Sequence, residues 1–325
     1  MAGTEKGHNG SLTTSTGRSL GGAPLAFSKL PAEDLRPWFT WLAVTDASLP
    51  ADRAVHCCML NDHATIRVLF GGEWTAHTRD GPRLFLPGQG GLALYFGPQS
   101  KAMQLTVRGC FKAATLHLGP GASSVLGAPP QAEMLDRIAD FDRLTKGGEP
   151  LSSYFDRDWP PARWLSVFER RLRRFMAVRQ IAPPSRLAQA FEEAAMADPN
   201  LSVHAFAHAQ GISPRTLERA IRREYGLTPK QALRRARALD LAAALIGVAM
   251  EEEEAELRLR FFDQSHQIRE IRHFFDATPA QLRDEPHPLL TLNLEIRQSR
   301  RIEMLKRLSP GQIQPWRDPR AEPAA

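Results

Sequence analysis

Apolar side chains recur at helical spacing between residues 202 and 283, and the same order of apolar, polar and turn-forming residues occurs there twice. The second copy lies 50 positions after the first. The matching pairs are Ser213 and Asp263, Arg219 and Arg269, Ile221 and Ile271, Arg222 and Arg272, Tyr225 and Phe275, Thr228 and Thr278, Pro229 and Pro279, and Gln231 and Gln281. So many matches at one spacing predict two copies of one helical unit.

Each copy has the sequence signals of two helices joined by a tight turn. In the first copy, Gly211 supplies the positive φ that ends one helix, and Ser213 caps the next, with Pro214 at its first position. An apolar stripe that starts at Leu217 faces inward, which leaves most of the arginines on the outer face. The second copy repeats this order with Asp263 as the cap. A short helix pair with a basic second helix is the geometry that enters a major groove.

A different pattern fills residues 25–120. Short strand-like runs at 64–70, 83–86, 92–96, 103–107 and 111–118 are separated by Gly-Gly, Asp-Gly-Pro, Pro-Gly and Gly-Pro turns. Many short strands at this spacing predict a sandwich or a barrel. The preceding stretch, rich in Gly, Ser and Thr, is typical of a disordered tail.

Two amphipathic helices are predicted between the strands and the repeat. The first covers residues 131–145, and the second carries an apolar stripe from Trp164 to Met176. Burial against the strand-rich region and a dimer contact are the two interpretations of that stripe. Two prolines at 183–184 mark a domain boundary, and a basic helix is predicted over 290–308.

Composition places the chain among globular proteins. A length of 325 residues favours two domains, and 42% hydrophobic residues suffice for packed cores. The net charge of +6 is concentrated in residues 157–186 and 213–239, and such basic patches attract phosphate. Three cysteines make no disulfide framework, and no apolar stretch is long enough for a signal peptide or a membrane span. A cytoplasmic protein with no membrane partner is therefore expected.

Two stretches of the repeat carry a specific resemblance. They are Ala207-x-x-x-Gly211-Ile212-Ser213-Pro214-x-x-Leu217-x-Arg219 with Gly226-Leu227-Thr228-Pro229, and Phe261-Phe262-Asp263-Gln264-Ser265-His266 with Arg269 and Phe274-Phe275 through Thr278-Pro279. Both resemble the DNA-binding domain of the AraC/XylS family of transcriptional regulators. The resemblance implies an α+β multidomain fold, in which a β-rich cupin-like or jelly-roll domain precedes an all-α domain with two helix-turn-helix motifs.

The expected domain organisation follows from these patterns and the resemblance together. Residues 1–24 are a disordered tail, 25–145 a β-rich effector-sensing domain, and 146–184 a linker with an amphipathic helix. Residues 185–288 form the double helix-turn-helix DNA-binding domain, and 289–325 a C-terminal helix with a loose tail.

The two motifs are not expected to bind DNA equally tightly. Arg260 stands where the family usually has a turn glycine, and Glu256 where a small residue packs the helix pair. Gln267 and Ile271 also depart from the usual core residues, and the acidic run 251–254 would repel a phosphate backbone. The first motif is therefore expected to read bases more tightly than the second.

The positions on the two recognition helices imply which residues contact DNA. Base edges are assigned to Arg215, Thr216, Glu218 and Arg219 in the first motif, and to Gln264, Ser265, His266 and Arg269 in the second. Arg can bond guanine bidentately, Gln can read adenine, and Glu can accept from cytosine. Phosphate contacts are assigned to Arg222, Arg223 and Arg272. A solvated surface charge is the plain alternative for any one arginine.

Metal and catalytic chemistry have little support in the sequence. Metal-competent side chains occur at His56, Cys57, Cys58, His63, His77 and His117. However, the His-x-His pair followed by Glu that a cupin metal site needs is absent, as are a phosphate loop, a nucleophile elbow and a dinucleotide fingerprint. We therefore expect no enzyme activity, no cofactor and no bound metal.

The sequence thus predicts a DNA-binding transcription regulator whose partner is double-stranded DNA. The resemblance also allows RNA polymerase, a small-molecule effector and a second copy of the chain as partners. Aromatic residues in the strand-rich region suggest an apolar pocket in which Arg67, His77 and Gln104 orient an effector, although they also suit an ordinary core. The alternatives are a cupin-type metal-binding enzyme with a helical appendage, and an interaction adaptor whose degenerate second motif no longer reads DNA.

Overall fold

The strand-rich part of the chain forms one antiparallel sheet. A computed structural model describes residues 26–47, 54–145, 148–248 and 264–308. The strands are β1 (Ala26–Lys29), β2 (Phe39–Ala47), β3 (Ala54–Met59), β4 (Thr65–Thr78), β5 (Gly81–Phe85), β6 (Leu92–Phe96), β7 (Met103–Leu118) and β8 (Ile138–Asp140). Their order is β1-β2-β7-β4-β6-β8, with β3 beside β7 and β5 beside β4. The two longest strands, β4 and β7, therefore lie at the centre of the sheet.

The helices follow mainly after the sheet. They are α1 (Ala122–Val125), α2 (Phe141–Leu144), α3 (Pro161–Arg179), α4 (Arg186–Ala197), α5 (Val203–Ala209), α6 (Pro214–Tyr225), α7 (Pro229–Ile246), α8 (Gln264–Phe275), α9 (Pro279–Asp284) and α10 (Pro288–Leu308). Short 3-10 helices cover Glu33–Leu35 and Leu151–Tyr154. The predicted order, a β-rich N-terminal part followed by an all-α C-terminal part, is confirmed.

The long central strands bend at a bulge. The pairing of β4 with β7 shifts between Gly71 and Glu73, and the φ angle of Gly71 is +65°. A Cβ atom at Gly71 would lie 2.6 Å from the carbonyl oxygen of Cys110, so the close approach of the two strands requires glycine. The separate runs predicted at 103–107 and 111–118 are one strand, because β7 keeps its pairing with β4 on both sides of the bulge.

Residues alternate between two faces of the sheet. On the outer face, Ile66, Val68 and Phe70 pack in one core with Trp164 and Phe168 of α3. The apolar stripe predicted on this helix is therefore buried against the sheet within the chain. The inner face is covered by α10, whose Leu289 and Leu292 belong to the same core as residues of β3, β4, β6 and β7.

The helix predicted over residues 131–145 is wrong. Residues 131–137 form turns, Ile138 begins β8 and pairs with Phe96 of β6, and only α2 is helical. Asp136 has a φ angle of +59°, which is incompatible with a continuing helix. Its carboxylate accepts hydrogen bonds from the backbone N–H and the hydroxyl of Ser100. Apolar residues at helical spacing are buried here at a sheet edge, so the spacing alone did not specify a helix.

The doubled helical unit is confirmed in the parts of it that the structure describes. Thr228 and Thr278 form the same capping box with the glutamine three residues later, at the start of α7 and of α9. Ile221 and Ile271 are both 0% exposed. The expected cap Asp263, together with Glu256 and Arg260, lies outside the described residues.

Candidate DNA-binding interface and its contacts with the sheet

The first motif orients α6 through its cap and its buried stripe. The hydroxyl of Ser213 accepts from the N–H of Thr216 at 3.1 Å, and Pro214 occupies the first helical position. Leu217 and Ile221 are 0% exposed. Gly226 ends the helix with a φ angle of +67°. These constraints turn the opposite face of α6 toward solvent.

That exposed face carries the residues assigned to DNA in the first motif. Arg215, Glu218, Arg219, Arg222 and Arg223 are exposed. Thr216 is half-buried, and its hydroxyl lies 2.9 Å from the hydroxyl of the cap, so this side chain also stabilises the helix start.

The arginines of α6 differ in their partners. The Nε atom of Arg222 lies 3.3 Å from a carboxylate oxygen of Glu218, and that of Arg223 lies 2.5 Å from one of Glu224. Arg215 and Arg219 have no carboxylate within ion-pairing distance in the described part of the chain. Both therefore have guanidinium groups available for an external acceptor. They lie in the first half of α6, the helix that corresponds to the one that enters the major groove in helix-turn-helix proteins.

The second motif presents a comparable face on α8. Ser265, Arg269 and Arg272 are exposed and His266 is half-buried, while the side chain of Gln264 lies outside the described residues. The guanidinium of Arg234 on α7 donates to both carboxylate oxygens of the buried Glu270, at 2.7–3.0 Å. This ion pair attaches α8 to the helix that connects the motifs.

The sheet domain contacts the C-terminal ends of both recognition helices. The Ser124 hydroxyl donates to a carboxylate oxygen of Glu224, in the last turn of α6, at 2.7 Å. The backbone N–H of Ala102 donates to the carbonyl of Phe274, in the last turn of α8, at 2.7 Å. A Cβ atom at Gly226 would lie 2.7 Å from the carbonyl oxygen of Gln131. The sheet domain therefore contacts both recognition helices and constrains their positions.

A buried ionic cluster joins the sheet domain to the helices around α6. We call it the Asp62 cluster. The Asp62 carboxylate accepts from Nε of Arg297 at 3.0 Å, and Arg297 also donates to Asp240 of α7. Arg235 donates to the backbone carbonyl of Asp62. Burial opposes ionisation of Asp62, but Arg297, Arg235 and Arg300 together hold the pKa of its carboxyl below the usual range.

Glu192 on α4 extends the cluster toward the first motif. Its carboxylate binds Nε2 of His63 and accepts from Arg300 at 2.6 Å and from the hydroxyl of Tyr225, on α6, at 3.0 Å. Burial acts against the charged form, yet His63 and Arg300 lower the pKa of Glu192 to about 2. Burial, followed by the Glu192 charge, raises the pKa of Tyr225 well above 10. The sequence did not predict these contacts, because the partners are distant along the chain.

The residues proposed to orient an effector lie in two different places. His77 and Gln104 line a cleft of about 340 Å³ between the sheet and the second motif, together with His56, Glu285 and His287. Arg67 instead points into the interior beneath α10, where Nη2 lies 2.6 Å from the sulfur of Met59. The structure therefore does not bring Arg67, His77 and Gln104 together in one pocket, as the sequence had suggested.

The metal-competent residues do not come together as a set of metal ligands in the part of the chain that the structure describes. Burial raises the pKa of the Cys57 and Cys58 thiols to about 12, which disfavours the thiolate that binds metals. His63 bonds Glu192, and His117 is buried with its pKa well below 6.5, because of burial first and then the charges of Arg300 and Arg67. Among residues that the structure describes, no group of three or more His, Cys, Asp or Glu could hold a metal ion.

The C-terminal region matches a family model. Residues 206–285 match the family model described as "Helix-turn-helix domain", of the AraC type. With the capping and burial pattern above, this match identifies residues 206–285 as a helix-turn-helix DNA-binding domain. The C-terminal region is a helix-turn-helix domain of the AraC/XylS type, and the resemblance stated from the sequence is confirmed. No curated protein matches the sequence as a relative.

Solved structures of two proteins, ToxT and CuxR, are similar to the chain. The apo form of ToxT from Vibrio cholerae is 8% identical, with 74% of this chain and 96% of that chain covered and a TM-score of 0.44. Wild-type ToxT bound to an unsaturated fatty acid is also 8% identical, with coverage of 81% and 99% and a TM-score of 0.42. The AraC-like transcriptional activator CuxR is 12% identical, with coverage of 66% and 86% and a TM-score of 0.27. No described helix is long and apolar enough to cross a bilayer.

Proposed function

We propose that the protein is a cytoplasmic, sequence-specific DNA-binding transcription regulator in which the first motif supplies most of the base recognition. The observation that carries this proposal is the pair Arg215 and Arg219, which are exposed in the first half of α6 and have no carboxylate partner among the described residues. An arginine held by an internal carboxylate must give up that partner to bind DNA, whereas these two need not. Bidentate bonding to guanine is the contact such arginines commonly make.

The remaining assigned residues take supporting roles in the proposal. Thr216 and Glu218 lie beside the two arginines and complete the base-reading set of α6. Arg222 and Arg223 lie further along the helix and are proposed to contact the phosphate backbone, in exchange for the carboxylates of Glu218 and Glu224 that they pair with here. In the second motif, Gln264, Ser265, His266 and Arg269 are proposed to read bases, with Arg272 on a phosphate.

The N-terminal domain is proposed to sense a small molecule and to transmit its binding to α6 and α8. Direct contacts support this part of the proposal, because Ser124 and Ala102 of the sheet domain bond the last turns of the two helices. A ligand changes an equilibrium only if it binds two states with different affinity. A shift of the sheet domain relative to these helices provides two such states.

The test of DNA recognition uses the full-length protein and labelled DNA from upstream of its own gene. We expect the affinity for this DNA to fall steeply as the salt concentration rises. Competitor DNA of unrelated sequence, added at equal concentration, should not displace the labelled DNA. Arg215→Ala and Arg219→Ala should weaken it, whereas Arg79→Ala, an exposed arginine in the β4–β5 turn region, should not. Equal affinity for every DNA sequence, or no affinity, would contradict the proposal.

The same preparation separates the two alternatives. An adaptor with a degenerate second motif should bind no specific DNA and should retain its melting temperature when Arg219 is replaced. A metal-binding enzyme should contain stoichiometric metal by elemental analysis after purification without added metal. Specific DNA binding by a metal-free preparation would contradict both alternatives.

A further inference from the structure

The solvent-facing side of α3 carries positive charge that the contacts proposed for α6 and α8 do not use. This helix contains six arginines, and its only acidic residue is Glu169. Glu169 is buried and accepts a hydrogen bond from Lys29 at 3.0 Å, so it neutralises no charge on the exposed side. Charged protein surfaces usually mix both signs. A helix surface with arginines alone therefore calls for a reason other than solubility.

Three exposed arginines of α3 form a straight row. Arg163, Arg170 and Arg174 are separated by seven and four residues, which are close to whole helical turns. At 1.5 Å per residue this row is about 17 Å long. We call these three residues the α3 row. Like charges four positions apart destabilise a helix, so the fold gains nothing from Arg170 and Arg174 in this arrangement.

The α3 row has no internal counter-charge in the ranges that the structure describes. None of its arginines has a carboxylate within ion-pairing distance. The neighbouring Arg173 differs, because its guanidinium donates to both carboxylate oxygens of Asp34 at 2.7 and 2.9 Å. The row is therefore free to bind an external anion without breaking an ion pair.

Aromatic rings hold two guanidinium groups in place on this side of α3. The guanidinium carbon of Arg163 lies 3.8 Å from the ring centre of Trp159, and that of the adjacent Arg171 lies 3.1 Å from the ring centre of Tyr154. A guanidinium that stacks on a ring keeps the N–H groups at its edge available as donors. Ordered side chains lose less conformational entropy on binding. The surface is therefore partly preorganised for an acceptor.

The chain leads directly from α3 to the first motif. Only residues 180–185 connect α3 to α4. A Cβ atom at Gly121 would lie 3.2 Å from the backbone nitrogen of Ser185 and 3.6 Å from a carboxylate oxygen of Glu224. The start of α4 is therefore next to the last turn of α6, and the exposed Arg186 there adds positive charge between α6 and α3.

We propose that the α3 row binds the phosphate backbone of the DNA that flanks the site read by α6. Duplex DNA presents phosphate charges at short, regular intervals along its length, which a straight row of arginines can follow. A second copy of the chain fits this surface poorly, because a twofold contact would place the row against itself. The assignment rests on the DNA recognition proposed above and extends the protein–DNA contact to the N-terminal domain.

The proposed contact adds affinity without adding sequence preference. Phosphate contacts fix the position of a protein on the duplex and carry no direct sequence information. Each one also releases counterions, so it increases the salt dependence of binding. These two properties distinguish the α3 row from Arg215 and Arg219, which are proposed to read bases.

The test compares two DNA fragments with the full-length protein by fluorescence anisotropy over a range of salt concentrations. One fragment is trimmed to the base pairs whose substitution changes the affinity, and the other extends about two helical turns, about 20 base pairs, beyond them on each side. Arg170→Gln/Arg174→Gln should lower the salt slope on the long fragment by about 2. Its affinity for that fragment should fall about 10- to 100-fold at about 0.1 M salt. Base preferences and the affinity for the trimmed fragment should stay as in the wild type.

Two control variants separate phosphate contact from other effects. Arg170→Lys/Arg174→Lys keeps both charges and should retain the wild-type salt slope, because lysine also binds phosphate as a point charge. Arg79→Gln/Arg108→Gln removes two exposed arginines from other parts of the sheet domain and should likewise bind as the wild type does. All three variants change exposed side chains only, so their melting temperatures should match that of the wild type.

Hydroxyl-radical footprinting locates the contact on the DNA. The wild type should protect backbone positions outside the recognised base pairs, and Arg170→Gln/Arg174→Gln should lose that protection while it keeps the protection of the site itself. An unchanged salt slope and footprint in this variant would overturn the proposal, as would an equal loss of affinity for both fragments.

Other partners of the α3 row would give different results. Normal DNA binding by Arg170→Gln/Arg174→Gln with loss of transcription in a purified system would assign the row to an acidic protein surface and overturn the DNA contact. A lower sedimentation coefficient of the variant would assign the row to a contact between copies of the chain, with the same consequence. A wild-type protein that binds no specific DNA would instead count against the proposed regulator.

Discussion

Replacing Arg219 with alanine separates base recognition from protein stability. The side chain is exposed and has no carboxylate partner among the described residues, so its removal should change the free energy of unfolding by less than about 0.5 kcal/mol. A bidentate arginine–guanine contact contributes about 1–3 kcal/mol of discrimination. The cognate affinity should therefore fall about 5- to 150-fold, because each 1.4 kcal/mol is about tenfold.

The assay is fluorescence anisotropy with the cognate fragment and with variants of it in which each base pair is changed in turn. Arg219→Ala should lose its preference at one base pair and keep the others. Arg222→Ala is the matched comparison on the same helix, since its ion pair with Glu218 is exposed and of little energetic weight. That variant should weaken binding to all sequences alike and lower the salt slope by about 1. An unchanged cognate affinity in Arg219→Ala, or a uniform loss over all base pairs, would refute the assignment.

Three further predictions concern the second motif, the domain junction and pH. Arg269→Ala should weaken cognate binding clearly less than Arg219→Ala in the same anisotropy assay, and equal losses would contradict the inequality of the motifs. Arg297→Met removes an ion-pair partner from two buried carboxylates and should lower the free energy of unfolding, measured in urea, by about 3–5 kcal/mol. The control Arg283→Met removes an exposed ion pair and should lower the free energy of unfolding by at most about 1 kcal/mol. Since burial holds the pKa of His117 well below 6.5, only the unfolded chain takes up this proton as pH falls below 6.5, and stability should drop by up to about 1.4 kcal/mol per pH unit until the folded pKa is reached. A pH dependence identical in His117→Gln and wild type would contradict this.

The helical repeat could be predicted from sequence because each of its signals is local. Ser213 caps the helix that begins at the next residue, and Thr228 bonds the N–H of a residue three positions later. Periodicity in α6 likewise requires only Leu217 and Ile221 to face one core. Such short-range rules identify the recognition helix and, through it, Arg215 and Arg219.

The polar contacts between the two halves could not be predicted, because nothing local marks them. Asp62 follows a strand in a segment with no helical or strand periodicity, and its partner Arg297 is 235 positions away. In sequence, Arg297 belongs to a basic helix of the kind usually found at the surface, yet it is buried here. The same limit applies to Trp41 and His117, whose register across two strands appears only when the sheet is assembled.

In the proposed sensing function, a ligand bound to the sheet domain can act on both recognition helices through their last turns. The sheet domain bonds the last turn of α6 through Ser124 and that of α8 through Ala102, while the residues proposed to read bases lie in the first half of each helix. A rotation about such a fixed end displaces the far end of a helix of 12 residues, which is about 18 Å long, by about 3 Å for a tilt of about 10°. That displacement is comparable to a hydrogen-bond length, so in the proposed sensing function a small movement of the sheet domain against these last turns is enough to add or remove a base contact without unfolding either motif.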